Sequence, residues 1–188
     1  MATIREGDKT VLLVVDAQVG VLENAWEAQK TIQNMVLAVE KARAQSIPVI
    51  WVQHGDDELV YGTPNWQLVS ELLPREGEVH IYKQFNSSFE QTGLEETLGQ
   101  LGATHIMLAG AATNWCIRAT AYGALDRGYD LTLIKDAHTT GTIVFQDGKT
   151  IEAADIILDL NLAMKWLSYP GRINRSVPAG EIALPSHP

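Results

Sequence analysis

The chain has 188 residues, a hydrophobic fraction of 46% and a net charge of -9. This length and composition exclude a disordered chain and predict one domain spanning residues 1–188. The acidic charge disfavours nucleic acid or an anionic membrane as a partner. The polar N-terminus, the lack of an apolar run long enough to span a bilayer, and a single cysteine together predict a cytoplasmic protein without disulfides.

In chain order, short and continuously apolar runs alternate with segments of helical period. The apolar runs are Val11–Val15, Pro48–Val52, Val79–Tyr82, His105–Ala109 and Leu131–Ile134. The helical segments are Thr31–Gln45, Leu94–Leu101, Cys116–Arg127 and Glu152–Trp166. Continuous apolar strands are typical of a parallel sheet that is covered on both faces. The alternation therefore predicts βαβ units in an α/β fold, with a further short strand near Arg172–Val177.

Residues 142–151 break this alternation. Their sequence places Asp147-Gly148 between two β-prone pieces, which is a hairpin signal. The segment stands where a simple βαβ unit would pass directly into a helix. We therefore expect a hairpin insertion at 142–151 within the domain.

Three residues that can carry chemistry follow or end three of the predicted strands. They are Asp16, Lys83 and Cys116. Ligands bind beyond the carboxyl ends of the strands in an open α/β sheet, so an acid, a lysine and a thiol are expected at one edge. This is the set that nucleophilic acyl transfer needs. Taken singly, each residue has a plainer interpretation: a helix cap, a surface lysine and an inert buried cysteine.

The position of Cys116 predicts an acidic thiol. Thr113 or Asn114 can cap the following helix, which places Cys116 in its first turn, where unpaired N–H groups and the helix dipole favour a thiolate. A nearby lysine would lower the pKa of the thiol further. If the strand order is 3-2-1-4-5, the third strand lies about 10 Å from the first, so Lys83 must lean over the second strand to reach Asp16.

Three ordered blocks of sequence resemble the signature of the isochorismatase-like cysteine hydrolases. They are Val14-Val15-Asp16-Ala17-Gln18, Lys83-x4-Ser88-Phe89-x2-Thr92-x-Leu94, and Gly110-Ala111-Ala112-Thr113-x2-Cys116-Ile117. The resemblance covers about residues 10–140. It implies a three-layer α/β sandwich with helices on both faces of a mostly parallel sheet of about six strands, which we expect in the order 3-2-1-4-5-6.

The resemblance also implies a role for each residue. Cys116 would be the nucleophile, Asp16 the general base and acid, and Lys83 the partner that holds the thiolate. A non-proline cis peptide would fall at Ala111–Ala112 and aim the backbone N–H groups of Ala112 and Cys116 at an oxyanion. The expected reaction is hydrolysis of an amide-type C–N bond of a small molecule through a thioester, without a metal or another cofactor.

Other branches of the family stay open as alternatives. The nicotinamidase branch binds a metal through a pattern like D-x-H after the second strand, whereas this chain reads Gln53-His54-Gly55-Asp56-Asp57-Glu58, and the spacing does not match. True isochorismatases lack the cysteine, so Cys116 favours C–N hydrolysis. Nicotinamidase-like activity, isochorismatase-like activity and a non-catalytic scaffold are the alternatives. The first strand is not followed by G-x-G-x-x-G, which argues against a dinucleotide site.

Aromatic residues near the strand ends predict an apolar pocket for a small-molecule substrate. We assign substrate contacts to Gln18, Trp26, His54, Phe89 and Trp115. Relatives of this family assemble, so a homodimer or higher homo-oligomer is expected. The apolar residues of the last helix are also too numerous for a single buried face.

Overall fold

A computed structural model describes residues 5–182 and contains eight strands within that range. The strands are β1 (Lys9–Val15), β2 (Val49–His54), β3 (Val79–Lys83), β4 (Ala103–Ala111), β5 (Asp130–Thr139), β6 (Ile143–Val144), β7 (Thr150–Ile151) and β8 (Asn174–Val177). Six of them form one parallel sheet in the order β3-β2-β1-β4-β5-β8. The predicted order is confirmed, with β8 as the sixth strand.

Helices cover both faces of this sheet. They are α1 (Val19–Leu22), α2 (Ala28–Ala44), α3 (Leu94–Gln100), α4 (Arg118–Asp126) and α5 (Ala153–Trp166). One core joins α3, α4 and α5 to the sheet, and the other joins α2 to the opposite face. The predicted three-layer α/β sandwich is therefore confirmed.

Strand β1 explains why the sequence runs were continuously apolar. Side chains of a strand alternate between the two faces of a sheet. Val11, Leu13 and Val15 pack in the core with α3, α4 and α5, whereas Leu12 and Val14 pack against α2. All five side chains are fully buried. A strand in the middle of a doubly covered sheet has no face left for polar residues.

The small strands β6 and β7 pair antiparallel with each other, apart from the main sheet. Gly148 lies in the turn between them with φ +82°, a left-handed conformation that glycine adopts without a steric penalty. No helix within residues 5–182 has the length and apolar character needed to cross a membrane. The ends of the predicted domain, residues 1–4 and 183–188, lie outside the described residues.

Candidate active site

The carboxyl ends of β1, β3 and β4 bring Asp16, Lys83 and Cys116 into direct contact. Lys83 Nζ lies 2.7 Å from Asp16 Oδ2 and 3.2 Å from Cys116 Sγ. The three residues are 1%, 3% and 8% exposed, respectively. We call them the Asp16–Lys83–Cys116 cluster. The spatial meeting that the sequence predicts is present, with the ammonium group placed between the carboxylate and the sulfur.

Asp16 turns away from β1 immediately after the strand ends. Its backbone N–H donates to Val52 O at 2.8 Å, which prolongs the pairing of β1 with β2 by one residue. Its φ of +50° is left-handed, a conformation that aspartate tolerates better than most residues. This turn directs the carboxylate inward at the sheet edge instead of into a helix cap.

Lys83 reaches Asp16 across the end of β2, as the strand order requires. It is the last residue of β3, and in the sheet register it lies beside His54, the last residue of β2. Its third close partner is His54 Nδ1, 3.4 Å from Nζ. The alternative of a surface lysine is wrong, because the side chain of Lys83 is buried within this ring of partners.

Cys116 lies in a π-helical turn, Thr113–Ile117, which precedes α4. The expected cap by Thr113 or Asn114 is wrong, since neither side chain caps the helix. Thr113 Oγ1 lies 2.8 Å from His138 Nδ1, and Asn114 Oδ1 accepts from Thr140 Oγ1 at 2.6 Å. Both contacts instead tie the cysteine turn to β5 and the residue that follows it. The peptide bond Ala111–Ala112, directly before the turn, is cis.

The expected low pKa of the thiol is contradicted. Burial raises the pKa of Cys116, the negative charge of Asp16 raises it further, and together they outweigh Lys83 and bring it to about 12. Burial also raises the pKa of Asp16, although Lys83 opposes this. The environment therefore disfavours two negative charges beside one ammonium group. The resting thiol keeps its proton, and Asp16, to which the thiol is hydrogen-bonded, is a group that can take it.

Asp16 has one oxygen that nothing within residues 5–182 satisfies. Lys83 donates to Oδ2, whereas Oδ1 is buried without a hydrogen-bond partner. An unsatisfied buried acceptor is unfavourable by about 1–3 kcal/mol, so its presence calls for an explanation. A proton on Asp16 would remove the buried negative charge, which lowers the cost of burying the group. The free oxygen is therefore consistent with a carboxylate that accepts a proton during a reaction.

A cleft of about 450 Å³ opens beside Lys83. Its wall includes Asp56, Tyr61, Trp66, Tyr82, Lys83 and Phe85. The rings of Tyr61, Trp66 and Tyr82 pack against one another, with centroids 4.4–5.7 Å apart. Lys83 is the member of the Asp16–Lys83–Cys116 cluster that lines this cleft. The space thus offers an aromatic surface next to the buried polar groups.

The five residues assigned to substrate contact lie in different surroundings. His54 adjoins Lys83, as described above. Gln18 is fully buried and its amide bonds the backbone of His54 and Trp66, so it holds the cleft loop in place. Phe89 is buried in the core, with its ring 5.9 Å from that of Tyr129. The remaining two, Trp26 and Trp115, are exposed at the surface.

Two features of the cleft were missed in the sequence. Tyr61 was not selected, although it lies in the long connection after the second strand together with Trp66. The contact of His54 with Lys83 was also missed, because His54 was placed beyond the second strand, whereas β2 extends to it. The available signal was the strand order itself, which puts the end of the second strand between the first and the third.

The surroundings of His54 do not fit a metal site. No group of three or more His, Cys, Asp or Glu side chains in the described part of the chain could hold a metal ion. His54 Nε2 is bonded to Asp56 Oδ2 at 2.9 Å, and Nδ1 faces the ammonium group of Lys83. That ammonium group would repel a cation bound at Nδ1. The D-x-H ligand pattern has no counterpart in this arrangement.

Comparison with known proteins places the chain in a family. The family model described as Isochorismatase domain matches residues 10–157. The chain is 31% identical over 135 residues to the secreted isochorismatase effector Isc1 of Verticillium dahliae, covering 68% of this chain and 71% of that protein. It is 30% identical over 175 residues to the ureidoacrylate amidohydrolase RutB of Methylobacterium radiotolerans, covering 70% and 68%.

A solved structure extends the likeness to nearly the whole chain. An isochorismatase from Pseudomonas putida KT2440 superposes with a TM-score of 0.83 and 27% sequence identity, over 94% of this chain and 91% of that one. The α/β sandwich and the matched domain define a hydrolase fold. This protein belongs to the isochorismatase family and is a hydrolase of that family.

Proposed function

We propose that this protein is a cysteine amidohydrolase that cleaves a small amide through a thioester on Cys116, without a metal ion. The observation that carries the proposal is the buried ammonium of Lys83, held between the Asp16 carboxylate and the Cys116 sulfur. The similarity to a ureidoacrylate amidohydrolase supports an amide-type C–N bond as the target.

In the first half of the reaction, Cys116 Sγ attacks the carbonyl carbon of the amide while its proton passes to Asp16. The raised pKa of Asp16 favours this transfer, because the carboxyl group is stable in its protonated form. Lys83 stabilises the sulfur as it gains negative charge. The oxyanion of the tetrahedral intermediate accepts hydrogen bonds from the backbone N–H groups of Ala112 and Cys116. Asp16 then protonates the leaving nitrogen, and the C–N bond breaks.

The second half returns the enzyme to its starting state. The acyl group remains on Cys116 as a thioester, and the amine or ammonia departs. Asp16, again a carboxylate, removes a proton from water, and the resulting hydroxide attacks the thioester carbon. The C–S bond breaks, the sulfur recovers the proton from Asp16, and a carboxylic acid leaves. One carboxyl group thus acts as base and acid in turn.

The cleft beside Lys83 is the proposed place for the part of the substrate that does not react. Tyr61, Trp66, Tyr82 and Phe85 supply aromatic surface there. A flat or apolar substituent can pack on such rings, with an aromatic pair contributing about 0.5–1.5 kcal/mol beyond the area it buries. We therefore expect small amides with an aromatic or unsaturated substituent to react faster than acetamide.

The test is a screen of small amides that includes nicotinamide and ureidoacrylate, with ammonia release as the readout. Wild type and Cys116→Ser, which keeps the size of the side chain, are compared on each compound. We expect turnover by the wild type, loss of turnover in the variant, and an acyl adduct on the intact wild-type protein in the mass spectrometer. Equal rates for the two proteins would refute the nucleophile. Release of product without any covalent adduct after rapid quenching would refute the thioester.

We also propose that the protein self-associates through α5. Leu158, Leu162 and Trp166 follow one another at four-residue spacing, so they share one face of the helix, and all three are exposed. Native mass spectrometry of the wild type and of Trp166→Glu tests this proposal. A dimer or larger species that the substitution weakens supports it, and a wild-type monomer at micromolar concentration contradicts it.

A further inference from the structure

We infer that His54 is a positioning residue that holds the ammonium group of Lys83 against Cys116. The inference deepens the proposed function and rests on it, since the position of Lys83 matters only where Cys116 reacts. His54 makes no contact with the sulfur in the structure. It acts through Lys83, whose Nζ lies 3.4 Å from His54 Nδ1.

The number of hydrogens on Lys83 fixes the role of His54. A lysine ammonium group has three N–H donors and no acceptor. Three groups surround Lys83 Nζ: Asp16 Oδ2 at 2.7 Å, Cys116 Sγ at 3.2 Å and His54 Nδ1 at 3.4 Å. Each donor thus has one acceptor. The geometry therefore assigns the lone pair of His54 Nδ1 to Lys83 and the ring proton to Nε2.

Asp56 supports this tautomer from the other side of the ring. His54 Nε2 lies 2.9 Å from Asp56 Oδ2, so the proton on Nε2 has an acceptor. Asp56 Oδ1 in turn accepts from the backbone N–H groups of Glu58 and Leu59 at 2.9 and 2.7 Å. The carboxylate is therefore fixed by the loop that forms the cleft wall. A carboxylate that orients the far nitrogen of an imidazole is a common device for fixing a tautomer.

Gln18 fixes the backbone that carries the ring. Its Oε1 accepts from His54 N at 2.9 Å, and its Nε2 donates to His54 O at 3.0 Å. Both backbone polar groups of His54 are thus held by one buried amide. The ring orientation is set by Asp56 and the backbone position by Gln18, which leaves Nδ1 directed at Lys83. This inferred role for His54 differs from the substrate contact that was assigned to it from the sequence.

Two isosteric substitutions separate the nitrogens of the ring. In His54→Asn, the amide oxygen can occupy the place of Nδ1 and still accept from Lys83. In His54→Gln, the longer side chain reaches the place of Nε2 and can bond Asp56, but it leaves no acceptor near Nδ1. A role in merely holding the cleft loop would favour the glutamine variant. A role in holding Lys83 favours the asparagine variant.

The readout is the rate at which iodoacetamide alkylates the thiol, measured by intact mass. The chain has one cysteine, so the rate reports Cys116 alone and needs no known substrate. We expect His54→Gln to react about tenfold more slowly than the wild type, equivalent to one pKa unit, and His54→Asn to react within about twofold of it. His80 is an exposed histidine of the same strand as Lys83, so His80→Gln should react like the wild type.

Melting temperatures of all four proteins show whether a slow variant is folded. Equal alkylation rates in folded wild type, His54→Asn and His54→Gln overturn the inference, as does a slower asparagine variant. The amide screen is run in parallel on the same proteins. If the wild type hydrolyses no amide but the asparagine–glutamine difference is present, the proposed function fails and the positioning role stands.

Discussion

Asp16, which is buried, and Glu78, which is partly buried, are each paired with a cation, and the two environments shift their pKa values in opposite directions. Glu78 is held by Arg43 at 2.8 Å through both carboxylate oxygens. Asp16 is held by Lys83 at 2.7 Å through one oxygen. The pKa of Glu78 is lowered to about 2, whereas that of Asp16 is raised.

The difference lies in the depth of burial and in the number of hydrogen-bond donors around each carboxylate, since the Asp16 side chain is 2% exposed and that of Glu78 is 13% exposed. Burial acts on Glu78 to raise its pKa, but Arg43, the backbone N–H of Arg75 and the indole N–H of Trp51 together outweigh it. Burial dominates at Asp16 and outweighs both Lys83 and the hydrogen bond of the Cys116 thiol, and Oδ1 has no partner of its own within residues 5–182. A carboxylate whose oxygens all accept hydrogen bonds keeps its negative charge and stabilises the fold. A partly bonded one can exchange its charge for a proton.

The largest expected effect comes from Asp16→Asn. The amide cannot take the proton of Cys116, so ammonia release from a substrate found in the screen should fall by about 10³-fold, within the usual range for a general base. Steady-state rates measure this. Glu78→Gln makes the same chemical change in the other ion pair and should keep the wild-type rate. A turnover loss in Glu78→Gln as large as in Asp16→Asn would mean that the proposed difference between a catalytic and a structural carboxylate is wrong.

For the stability of the fold, the carboxylate expected to matter is Glu78. Glu78→Gln should lower the free energy of unfolding at neutral pH by about 3 kcal/mol, which corresponds to a pKa lowered from 4.5 to about 2. Because the folded-state pKa is depressed, this contribution is present above about pH 4.5 and disappears as the pH falls toward about 2. Urea unfolding of the wild type and of Glu78→Gln at several pH values measures this difference in the free energy of unfolding. A difference that stays constant down to about pH 2.5 would show that the charge of Glu78 contributes nothing.

The buried histidines His105 and His138 also make the stability of the fold depend on pH. Burial lowers the pKa of His105 and of His138 to about 4. The unfolded chain therefore binds protons first as the pH falls from about 6.5, and each histidine should remove about 2 kcal/mol of stability between pH 7 and pH 5. His138→Gln should reduce this slope relative to the wild type. Identical slopes in the two proteins would contradict the assignment.

The smallest expected effect is that of Trp51→Phe. This change removes the indole N–H that donates to Glu78 Oε2 at 2.7 Å, while Arg43 and the backbone of Arg75 remain. A hydrogen bond to a charged group contributes about 1.5–3 kcal/mol, so the loss of this bond alone should destabilise the fold by the lower end of that range, in addition to the cost of the lost ring volume. The pKa of Glu78 should rise. Trp51→Phe is therefore measured in the wild type and in Glu78→Gln, because the ring volume is lost in both backgrounds whereas the bond to the carboxylate is lost only in the wild type.

The sheet could be read from the sequence because its determinants are local. Five apolar runs and their spacing predict the parallel strands, and the order follows from general rules for βαβ units once a sixth strand is admitted. The end of β2 was placed two residues early, because Gln53 and His54 are polar yet still paired with β3. Polar residues at the site rim follow the needs of the site, which a hydrophobic pattern does not record.

The residues of the site could be predicted from the sequence, but the pKa of the thiol could not. Asp16, Lys83 and Cys116 meet as the strand ends imply. The pKa of Cys116 depends on burial and on the distance to Asp16, and neither quantity is contained in the helix-start pattern that predicted an acidic thiol. Phe89 was likewise selected by its sequence position, whereas its ring packs in the core against Tyr129.

The central claim is that Asp16 and Cys116 share one proton beside Lys83, and the pH dependence of Cys116 alkylation tests it most directly. For the wild type we expect a rate that still rises at about pH 10, well above the pKa of about 8.5 of a free cysteine. In Asp16→Asn the negative neighbour is gone, so the curve should shift to lower pH and the thiol should react faster, although turnover is lost. Wild-type alkylation that levels off below neutral pH, or an unshifted curve in Asp16→Asn, would contradict the account.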